Sequence, residues 1–387
     1  MSLSSQLHLH VVSFNVPFPA NYGGVIDVFY KLRALHALGV KIHLHNFTYG
    51  REAAPVLDQI CHKVYYYQRK RFANLVFGRL PYIVASRNNK ELLQNLLLDN
   101  HPILFEGLHC CYYLPDFKLK GRNMVVRMHN LEDVYYQKLS ATERNPFKKY
   151  FFQGEAQRLK QYEKVLTQAN KVAAISPADR NTLQERYANS FYLPVFHAND
   201  KVVSKLGMGD YALYQGNLGV GENNEAALWL VNEIFNDLKY PLKIVGMNPS
   251  RELRKAIEGK SHISLYDKVT TAEIVRMTQA AQINVLPTFQ NTGMKLKLIN
   301  VLFQGRFIIV NSTMVENTEL ENYCTVVDSV SDWKNAIIHI QKQNFTESDV
   351  NQRVQDLTNM FNNLDNAELL MAEFASNAKV RLLRKGV

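Results

Sequence analysis

The sequence predicts an α/β protein of two domains, each built on a parallel sheet, and three observations support this prediction. The chain has 387 residues, which is longer than one hydrophobic core usually supports. Short apolar segments rich in Val, Ile and Leu alternate with longer segments in which apolar residues recur at helical spacing. The alternation forms two consecutive series of similar size, and each series is typical of a parallel sheet covered by helices.

The first series opens with a strand, a loop, a helix and a second strand. Residues 7–14 are apolar and β-prone, a loop rich in Pro and Gly follows, and apolar residues recur at helical spacing from Val25 to Leu38. Gly39 is placed to end this helix, and residues 40–47 are again typical of a strand. Such a unit predicts a parallel sheet that binds its ligands at the carboxyl ends of the strands.

The remaining elements follow the same pattern on both sides of a predicted linker at residues 200–210. In the first series we predict strands at 103–105, 124–128 and 171–175, a long helix over 146–167, and a helix that begins at Pro177 with Ser176 as its N-cap. In the second series we predict strands at 211–215, 242–245, 263–265, 283–286 and 307–310, and helices at 224–235 and 295–303. The domains are therefore expected at residues 1–198 and 199–365, followed by a final amphipathic helix.

The composition argues against several classes of protein. Apolar residues make up 47% of the chain and charged residues 21%, which is a globular balance. No apolar run approaches the roughly 20 residues that cross a bilayer, and the first residues do not have the pattern of a signal peptide. The cysteines show no CxxC spacing, which favours a cytoplasmic location over a disulfide framework or a zinc knuckle. They are Cys61, Cys110, Cys111 and Cys324.

The net charge of +10 predicts affinity for anionic partners. Residues 65–82 concentrate basic and aromatic side chains, including Arg69, Lys70 and Arg71. One interpretation is a strand end followed by an ordinary helix. The other is a peripheral contact with the inner face of a membrane or with a lipid-phosphate acceptor. No nucleic-acid-binding motif accompanies this stretch, so no nucleic-acid partner is expected.

The first candidate site is the loop before the first helix, which contains Gly23 and Gly24. Adjacent glycines let the backbone approach a ligand closely, and the N–H groups at a helix N-terminus suit a phosphate or a developing anion. The alternative is a tight turn without a ligand. Because the pattern is not GxGxxG, it gives little support to a dinucleotide-dependent oxidoreductase.

The second candidate site follows the strand predicted at 124–128. Arg127, His129, Asn130 and Glu132 lie at the carboxyl end of this strand or directly after it. A lone histidine is usually structural, but this one belongs to a polar cluster at the edge where an α/β sheet binds ligands. The sequence therefore favours a role in a site for these four residues.

The third candidate site is the loop after Pro287 and the start of the next helix. Lys295 and Lys297 are in the first turn of that helix, where the helix dipole disfavours cations. A pyrophosphate bound by the two ammonium groups and the helix end would compensate their charge. The alternative is that both lysines are solvated.

Metal and cofactor motifs are absent from the sequence. There is no Asp-x-Asp pair, P-loop, Gly-x-Ser-x-Gly or HExxH motif, so we expect a metal-independent phosphate site and no cofactor. His8 and His10 share one face of the first strand, and His43 and His45 share one face of its expected neighbour. These four could approach a metal geometry, but core packing or exposure is the favoured interpretation.

Taken in order along most of the chain, these segments resemble the GT-B glycosyltransferases of the family 4 type, also called glycosyl transferases group 1. The N-terminal segments that carry the resemblance are Pro17-x-Pro19-x4-Gly24, Arg127-x-His129-Asn130-x-Glu132, Tyr162-Glu163 and Ala173-x-Ile175-Ser176-x2-Asp179. The C-terminal segments are Tyr214-x-Gly216-Asn217-Leu218, Ile244-Val245-Gly246 and Thr292-Gly293-Met294-Lys295-Leu296-Lys297.

The resemblance implies two Rossmann-like domains that face a cleft, with the last helix, at about 366–387, packing back on the first domain. The first domain would bind a glycan or lipid-linked acceptor of the cell envelope, and the second would bind a nucleotide-sugar donor. The transfer would retain the anomeric configuration and would need no metal.

The resemblance also implies roles for single residues. His129 would lie beside the transferred sugar, and Lys297 would neutralise the leaving diphosphate. The donor would be bound by Gly216, Asn217, Gly246, Thr292, Gly293, Met294, Lys295 and Asn300. The acceptor or phosphate corner would be formed by Gly23, Gly24, Arg127, Asn130 and Glu132.

The sequence departs from the family where Thr292 and Asn300 replace two glutamates, one near the sugar and one on the ribose. An amide at position 300 can bond ribose hydroxyls, but without the assistance of a charge. A degenerate GT-B protein that binds a sugar or a partner without turnover is therefore the alternative to an active transferase. A GT-B-shaped sugar-nucleotide epimerase is a third reading, although the groups needed to direct water are not found.

Overall fold

The computed structural model describes residues 7–71, 78–143, 145–187, 189–289, 296–316 and 318–374. The chain forms two compact units. Among the described residues, the first unit extends to Phe196 and includes the chain from Asn362 onward. The second unit runs from His197 to Phe361.

Seven strands form the sheet of the first unit. They are β1 (His8–Ser13), β2 (Lys41–Thr48), β3 (Lys63–Gln68), β4 (Ile103–Glu106), β5 (Met124–Arg127), β6 (Lys171–Ala174) and β7 (Ser190–Tyr192). Their order is β3-β2-β1-β4-β5-β6-β7, and every neighbouring pair is parallel. The order reverses between β1 and β4, where α/β sheets bind ligands.

Helices connect these strands, as a parallel sheet requires. They are α1 (Gly23–Ala37), α2 (Val56–Ile60), α3 (Tyr82–Ala85), α4 (Lys90–Leu96), α5 (Glu132–Thr142), α6 (Pro146–Tyr162) and α7 (Pro177–Tyr187). Short 3-10 helices follow β4 at Leu108–Tyr113 and α6 at Glu163–Gln168. The predicted cap of α7 is confirmed, since the Asp179 N–H donates to Ser176 Oγ at 3.1 Å.

Six strands form the sheet of the second unit. They are β8 (Ala212–Gln215), β9 (Leu242–Val245), β10 (Ile263–Tyr266), β11 (Ile283–Leu286), β12 (Phe307–Val310) and β13 (Thr325–Val326). The order β10-β9-β8-β11-β12-β13 repeats that of the first six strands in the first sheet, and all neighbouring pairs are parallel. The predicted α/β architecture with two parallel sheets is therefore confirmed.

The helices of the second unit complete its α/β pattern. They are α8 (Gly221–Trp229), α9 (Arg251–Ile257), α10 (Thr271–Ala280), α11 (Leu296–Gln304), α12 (Ser312–Val315), α13 (Val330–Ile340) and α14 (Glu347–Met360).

The last described helix, α15 (Asn363–Phe374), belongs to the first unit. Its residues Leu370 and Met371 lie in the same core cluster as Leu32 and Leu35 of α1.

The strands form because their apolar runs are buried on both faces. All four residues of β4, β5 and β11 are buried, as is typical of strands in a parallel sheet. The first sheet separates two core clusters, with Leu9 and Val11 in one and Val12 in the other. The carboxyl ends of these strands are thereby held in fixed positions.

Two predicted helices have different bounds in the structure. The helix predicted over 146–167 ends as α-helix at Tyr162 and continues as a 3-10 helix, in which the buried Glu163 accepts hydrogen bonds from Arg186 and Tyr187. The helix predicted over 224–235 begins at Gly221 and ends in a π-helical turn at Leu230–Ile234. The first difference coincides with the anchoring of the buried Glu163 to two residues of α7.

None of the helices in the described ranges combines the length and the apolarity that a membrane span requires.

Candidate active site

The carboxyl end of β1 and the start of α1 meet at Phe14. Gly23 is the first residue of α1, and a Cβ added to Gly24 would lie only 2.7 Å from Phe14 Cζ. The Phe14 ring in turn contacts His129 edge-on, with ring centroids 5.4 Å apart. Gly24 therefore allows the helix end to approach the ring that packs on His129.

A buried ion network lies beneath this edge of the sheet. The Lys31 ammonium donates to Asp27 Oδ2 at 3.0 Å and to Glu106 Oε1 at 2.8 Å. Arg127 donates to both carboxylate oxygens of Asp27, at 3.1 and 3.3 Å. Two carboxylates and two cations thus balance one another in a region that excludes water, which a buried charge requires.

The network keeps both acids ionised. Burial opposes the ionisation of Asp27, but Arg127 and Lys31 outweigh burial and hold the pKa of Asp27 well below its usual range. Burial also opposes the ionisation of Glu106, and Lys31 and His129 together lower its pKa. Each carboxylate therefore acts only as a hydrogen-bond acceptor.

His129 follows β5 and is oriented by this network. Its Nε2 lies 3.0 Å from Glu106 Oε2, and because the carboxylate only accepts, Nε2 carries the proton. Its Nδ1 is buried, has no hydrogen-bond partner among the described residues, and lies 3.8 Å from Asp27 Oδ2. The arrangement fixes the ring through one nitrogen and leaves the other, buried beside Asp27, without a hydrogen bond among the described residues.

Asp27, Glu106 and His129 could also be considered as metal ligands, since one ligand atom from each lies within 4.8 Å of the others. Lys31 Nζ already lies within 3.0 Å of both carboxylates. A metal ion could bind there only by displacing this ammonium group. The cationic role at this position therefore belongs to Lys31.

Glu132 lies at the N-terminus of α5, and its side chain is almost completely buried. Burial raises the pKa of Glu132 to about 8, an effect that Arg87 partly opposes. Its Oε1 lies 3.8 Å from His109 Nδ1, which has no hydrogen-bond partner among the described residues. Glu132 is thus a carboxyl group that keeps its proton near neutral pH, as a general acid must.

The other members of the predicted acceptor corner have different environments. Arg127 has no exposed surface, and its guanidinium also donates to the carbonyls of Ala174, Leu193 and Pro194. It therefore does not offer a ligand contact in this structure, and it acts by holding Asp27. Asn130 is partly exposed directly after His129.

In the second unit, two glycines that were predicted to bind the donor bring neighbouring loops together. Gly216 follows β8 and Gly246 follows β9, and a Cβ added to Gly246 would collide with the carbonyl oxygen of Gly216. Asn217 Oδ1 accepts the N–H of Gly219 at 3.1 Å, which shapes the turn before α8. The backbone between β8 and α8 is therefore tightly packed at the carboxyl end of the sheet.

Lys297 lies beside this loop. Its Nζ donates to Asn223 Oδ1 at 3.3 Å, and Asn223 Nδ2 donates to the carbonyl of Asn217 at 3.1 Å. The ammonium also lies 5.8 Å from the centre of the Tyr214 ring. The structure thus brings together Lys297, Asn217 and the N-terminus of α8, where backbone N–H groups favour an anion.

Asn300 is one helical turn after Lys297 on α11. Its Oδ1 accepts a hydrogen bond from Asn199 Nδ2 at 2.9 Å, and Gln304 donates to Asn199 Oδ1 at 2.6 Å. Four other predicted donor-binding residues lie outside the described residues; they are Thr292, Gly293, Met294 and Lys295.

Sequence reasoning missed the residues that hold His129. Asp27 and Lys31 are charged residues among the apolar positions of the buried face of α1, and Glu106 ends an apolar strand. Charged residues at positions that the helical period assigns to the core were the available signal. It also missed Asn223, which the sequence placed in a loop although it lies in the first turn of α8.

An open groove of about 660 Å³ on the first unit is lined by none of the predicted site residues that the structure describes. It lies beside α4 and the 3-10 helix after β4, and its lining includes Leu93, Leu97, Tyr112 and Tyr162.

Solved structures with known activities share this architecture. The chain aligns over 95% of its length with 98% of sucrose-phosphate synthase from Thermosynechococcus elongatus, at a TM-score of 0.65 and 16% identity. It aligns over 95% of its length with 98% of HepE from Anabaena in complex with UDP and glucose, at a TM-score of 0.64 and 9% identity. The chain has the GT-B fold. These structural neighbours are glycosyltransferases, so the predicted resemblance and the GT-B fold class are confirmed.

Sequence comparison adds one relative. The chain is 28% identical over 330 residues to an uncharacterized 44.6 kDa protein in the cps region of Klebsiella pneumoniae, covering 80% of this chain and 84% of that protein. The chain matches no protein-family model. The comparisons thus show the fold that this chain shares with nucleotide-sugar glycosyltransferases.

Proposed function

We propose that this chain transfers a sugar from a nucleotide-sugar donor to a glycan or lipid-linked acceptor of the cell envelope. The transfer retains the anomeric configuration and needs no metal ion. The observation that carries the proposal is the position of Lys297, whose ammonium lies 3.3 Å from Asn223 Oδ1 beside the first loop of the second sheet. A diphosphate in that place would meet an ammonium group and the N-terminus of α8.

The proposed chemistry needs a fixed cation on the leaving group. The bond between the anomeric carbon and the phosphate oxygen breaks, and the departing diphosphate gains negative charge that Lys297 stabilises. The acceptor oxygen attacks the same face of the sugar and passes its proton to the leaving phosphate. His129 contacts the transferred sugar, and its connection to Glu106 keeps the ring in one orientation.

The donor is proposed to be a nucleoside diphosphate sugar. HepE, which shares the fold, is solved with UDP and glucose. In this chain, Gly216 and Gly246 form a closely packed pair of turns at the ends of adjacent strands. Their own amides donate to the carbonyls of Val245 and Tyr266, so the amides proposed to meet the phosphate are those at the N-terminus of α8. Domain bounds of 1–198 and 199–365, with the last helix returning to the first domain, belong to the same proposal.

The test begins with a thermal-shift screen of the purified chain against nucleoside diphosphates and their sugars. Donor hydrolysis and transfer are then measured with the donor that binds. We expect Lys297→Ala to lower turnover by about 10²-fold or more. The substitution removes the ammonium group, which interacts more strongly with the departing diphosphate in the transition state than with the bound donor. Lys342→Ala, an exposed lysine of the same unit, is the matched control and keeps its turnover.

Two outcomes contradict the proposal. One is that no nucleotide or sugar nucleotide changes the melting temperature or is turned over. The other is that Lys297→Ala, with an intact circular-dichroism spectrum, retains the wild-type rate.

A degenerate GT-B protein is the second candidate, and Asn300 favours it. Its amide is bonded to Asn199 rather than supplying the carboxylate that the family uses on ribose. We expect Asn300→Glu to strengthen nucleotide binding by about tenfold, the effect of roughly 1.4 kcal/mol from a charge-assisted hydrogen bond. Binding is measured by calorimetry with the nucleotide found above, and Asn236→Glu, at an exposed position of the same unit, is the control. Nucleotide binding without hydrolysis or transfer in the wild type would support this second candidate.

We also propose a peripheral membrane contact through the basic stretch of the first unit. Lys70 and Arg71 are exposed, and Arg69 and Arg71 stack on the ring of Tyr49 at 4.6 and 4.9 Å. Guanidinium groups over aromatic rings beside an exposed lysine suit an anionic lipid headgroup. Tyr67 of the same stretch is buried and belongs to the core instead.

A further inference from the structure

Half of the histidines of this chain lie together on four neighbouring strands of the first sheet. The sequence has 12 histidines, and six of them lie in or shortly before four adjacent strands. They are His8, His10, His43, His45, His62 and His101. His8, His62 and His101 are at the amino ends of parallel strands. His129 follows the carboxyl end of a strand of the same sheet, so these histidines lie at the opposite end of the strands from His129.

The two inner histidines have a structural role. His10 Nδ1 lies 2.8 Å from His45 Nε2, and His10 Nε2 lies 2.9 Å from Asp99 Oδ1. His45 Nδ1 lies 2.8 Å from the Tyr67 hydroxyl. All four ring nitrogens of this buried pair are therefore used, which confirms core packing for His10 and His45.

The three outer histidines have a different arrangement. One imidazole nitrogen from each of His8, His43 and His62 lies within 4.8 Å of the other two. Their ring centroids form an almost equilateral triangle, with 5.2 Å between His8 and His43, 5.2 Å between His43 and His62, and 5.5 Å between His8 and His62. Three rings thus surround a common point.

These separations match three imidazoles on one tetrahedral ion. With a metal–nitrogen bond of about 2.0–2.1 Å and about 1.1 Å from that nitrogen to the ring centre, two ligating rings have centroids about 5.2 Å apart. The ligating nitrogens themselves would be about 3.3 Å apart, so the rings need only rotate. His62 is exposed and makes no side-chain hydrogen bond among the described residues, which leaves it free to do so.

We propose that His8, His43 and His62 bind a divalent transition-metal ion that prefers imidazole, such as Zn²⁺, with water as the fourth ligand. Three neutral nitrogen ligands with an open position suit Zn²⁺ better than Mg²⁺ or Ca²⁺, which prefer oxygen. The ion would replace the 2.9 Å hydrogen bond between His8 and His43. His101, stacked on His8 at 4.6 Å, would support the orientation of that ring.

The protonation state of the rings agrees with this role. Burial and the neighbouring histidines His10 and His8 lower the pKa of His43 to about 4. Burial, followed by His101 and His62, also lowers the pKa of His8. Both rings are therefore neutral near pH 7, which is the form that ligates a metal.

The proposed ion would have a stabilising role rather than a catalytic one. Its three ligands come from β1, from β2 and from the residue before β3, so the ion would tie three adjacent strands together. It would lie at the edge opposite to the candidate active site. The metal-independent transfer proposed above is unaffected by it.

Calorimetric titration of the full chain, without a histidine tag, with Zn²⁺ tests the proposal. We expect one ion per chain, a higher melting temperature, and, with Co²⁺, the visible absorption of a four-coordinate site. His62→Gln should weaken binding by about tenfold or more, since even changes in groups that only orient a ligand cost 10–100-fold. His36→Gln, an exposed histidine of α1, is the matched control and should bind as the wild type does.

Because His62 is exposed, its substitution leaves the folded chain intact, and circular dichroism checks this. The proposal is overturned if neither metal binds, if His62→Gln binds as tightly as the wild type, or if His36→Gln loses affinity to the same extent.

Discussion

Arg127 and His129 are two residues apart in the chain, yet burial gives them different roles. The guanidinium of Arg127 is enclosed and bonded to Asp27 and to backbone carbonyls, so it supports other groups. Among the described residues, His129 makes a side-chain hydrogen bond only through Nε2. At the residue scale, full pairing of its nitrogens makes Arg127 a positioning residue, whereas the ring of His129 keeps one unpaired nitrogen among the described residues.

The pH dependence of the unfolding free energy tests whether burial raises the pKa of Glu132. Its pKa in the folded chain is about 8, above the ordinary value of 4.5, so the folded state retains a proton that the unfolded state loses. Its contribution to stability is complete below pH 4.5 and is lost as the pH rises to 8, by about 1.4 kcal/mol per pH unit. We expect Glu132→Gln to remove this part of the pH dependence of the unfolding free energy. Unfolding in urea at several pH values between 5 and 9 measures it.

The exposed Glu52 provides the matched control for this measurement. Glu52→Gln should leave the pH dependence of the unfolding free energy as it is in the wild type. Parallel slopes for Glu132→Gln and the wild type would show that Glu132 ionises normally in the folded chain.

At the scale of elements, α1 determines the surroundings of His129. Its N-terminus packs on Phe14 through Gly24, and its buried face supplies Asp27 and Lys31 to the ion network. A shift of this helix would move both the ring and the charges that orient His129. The element therefore couples packing to the geometry of the site.

We expect Gly24→Ala to destabilise the chain by about 1–3 kcal/mol, because the added methyl group must displace the aromatic ring of Phe14. Gly154→Ala in α6 is the control with the opposite sign, since its Cβ would meet only ordinary contacts and alanine favours a helix by about 1 kcal/mol. Urea unfolding measures both. A Gly24→Ala variant as stable as Gly154→Ala would contradict this account of the contact.

At the scale of the whole molecule, two sheets with the same strand order each present loops at their carboxyl ends. Among the described residues, His129 follows β5 in the first unit, and Gly216 and Gly246 follow β8 and β9 in the second, so these predicted residues lie at such ends. The net charge of +10 adds a long-range attraction to anionic donors and surfaces.

The charge makes the proposed membrane contact testable. We expect the chain to sediment with vesicles containing anionic lipid, less so as the salt concentration rises, because counterions screen the attraction. The double variant Lys70→Glu/Arg71→Glu should lose most of this binding. Lys90→Glu/Lys118→Glu has the same net charge and should retain it, since both lysines are exposed elsewhere on the unit. Equal loss in both double variants would attribute the binding to net charge alone.

The sequence by itself determined the parallel α/β architecture, the strands and most helices, because burial on both faces of a sheet leaves a local apolar pattern. It also indicated His129 and Lys297, because polar residues after an apolar strand or at a helix start are visible locally. Only the tertiary structure decided that Asp27 pairs with Arg127, 100 positions away, and that Asn300 bonds Asn199. Such partners are selected by the packing of distant segments, and no local periodicity records which segments meet.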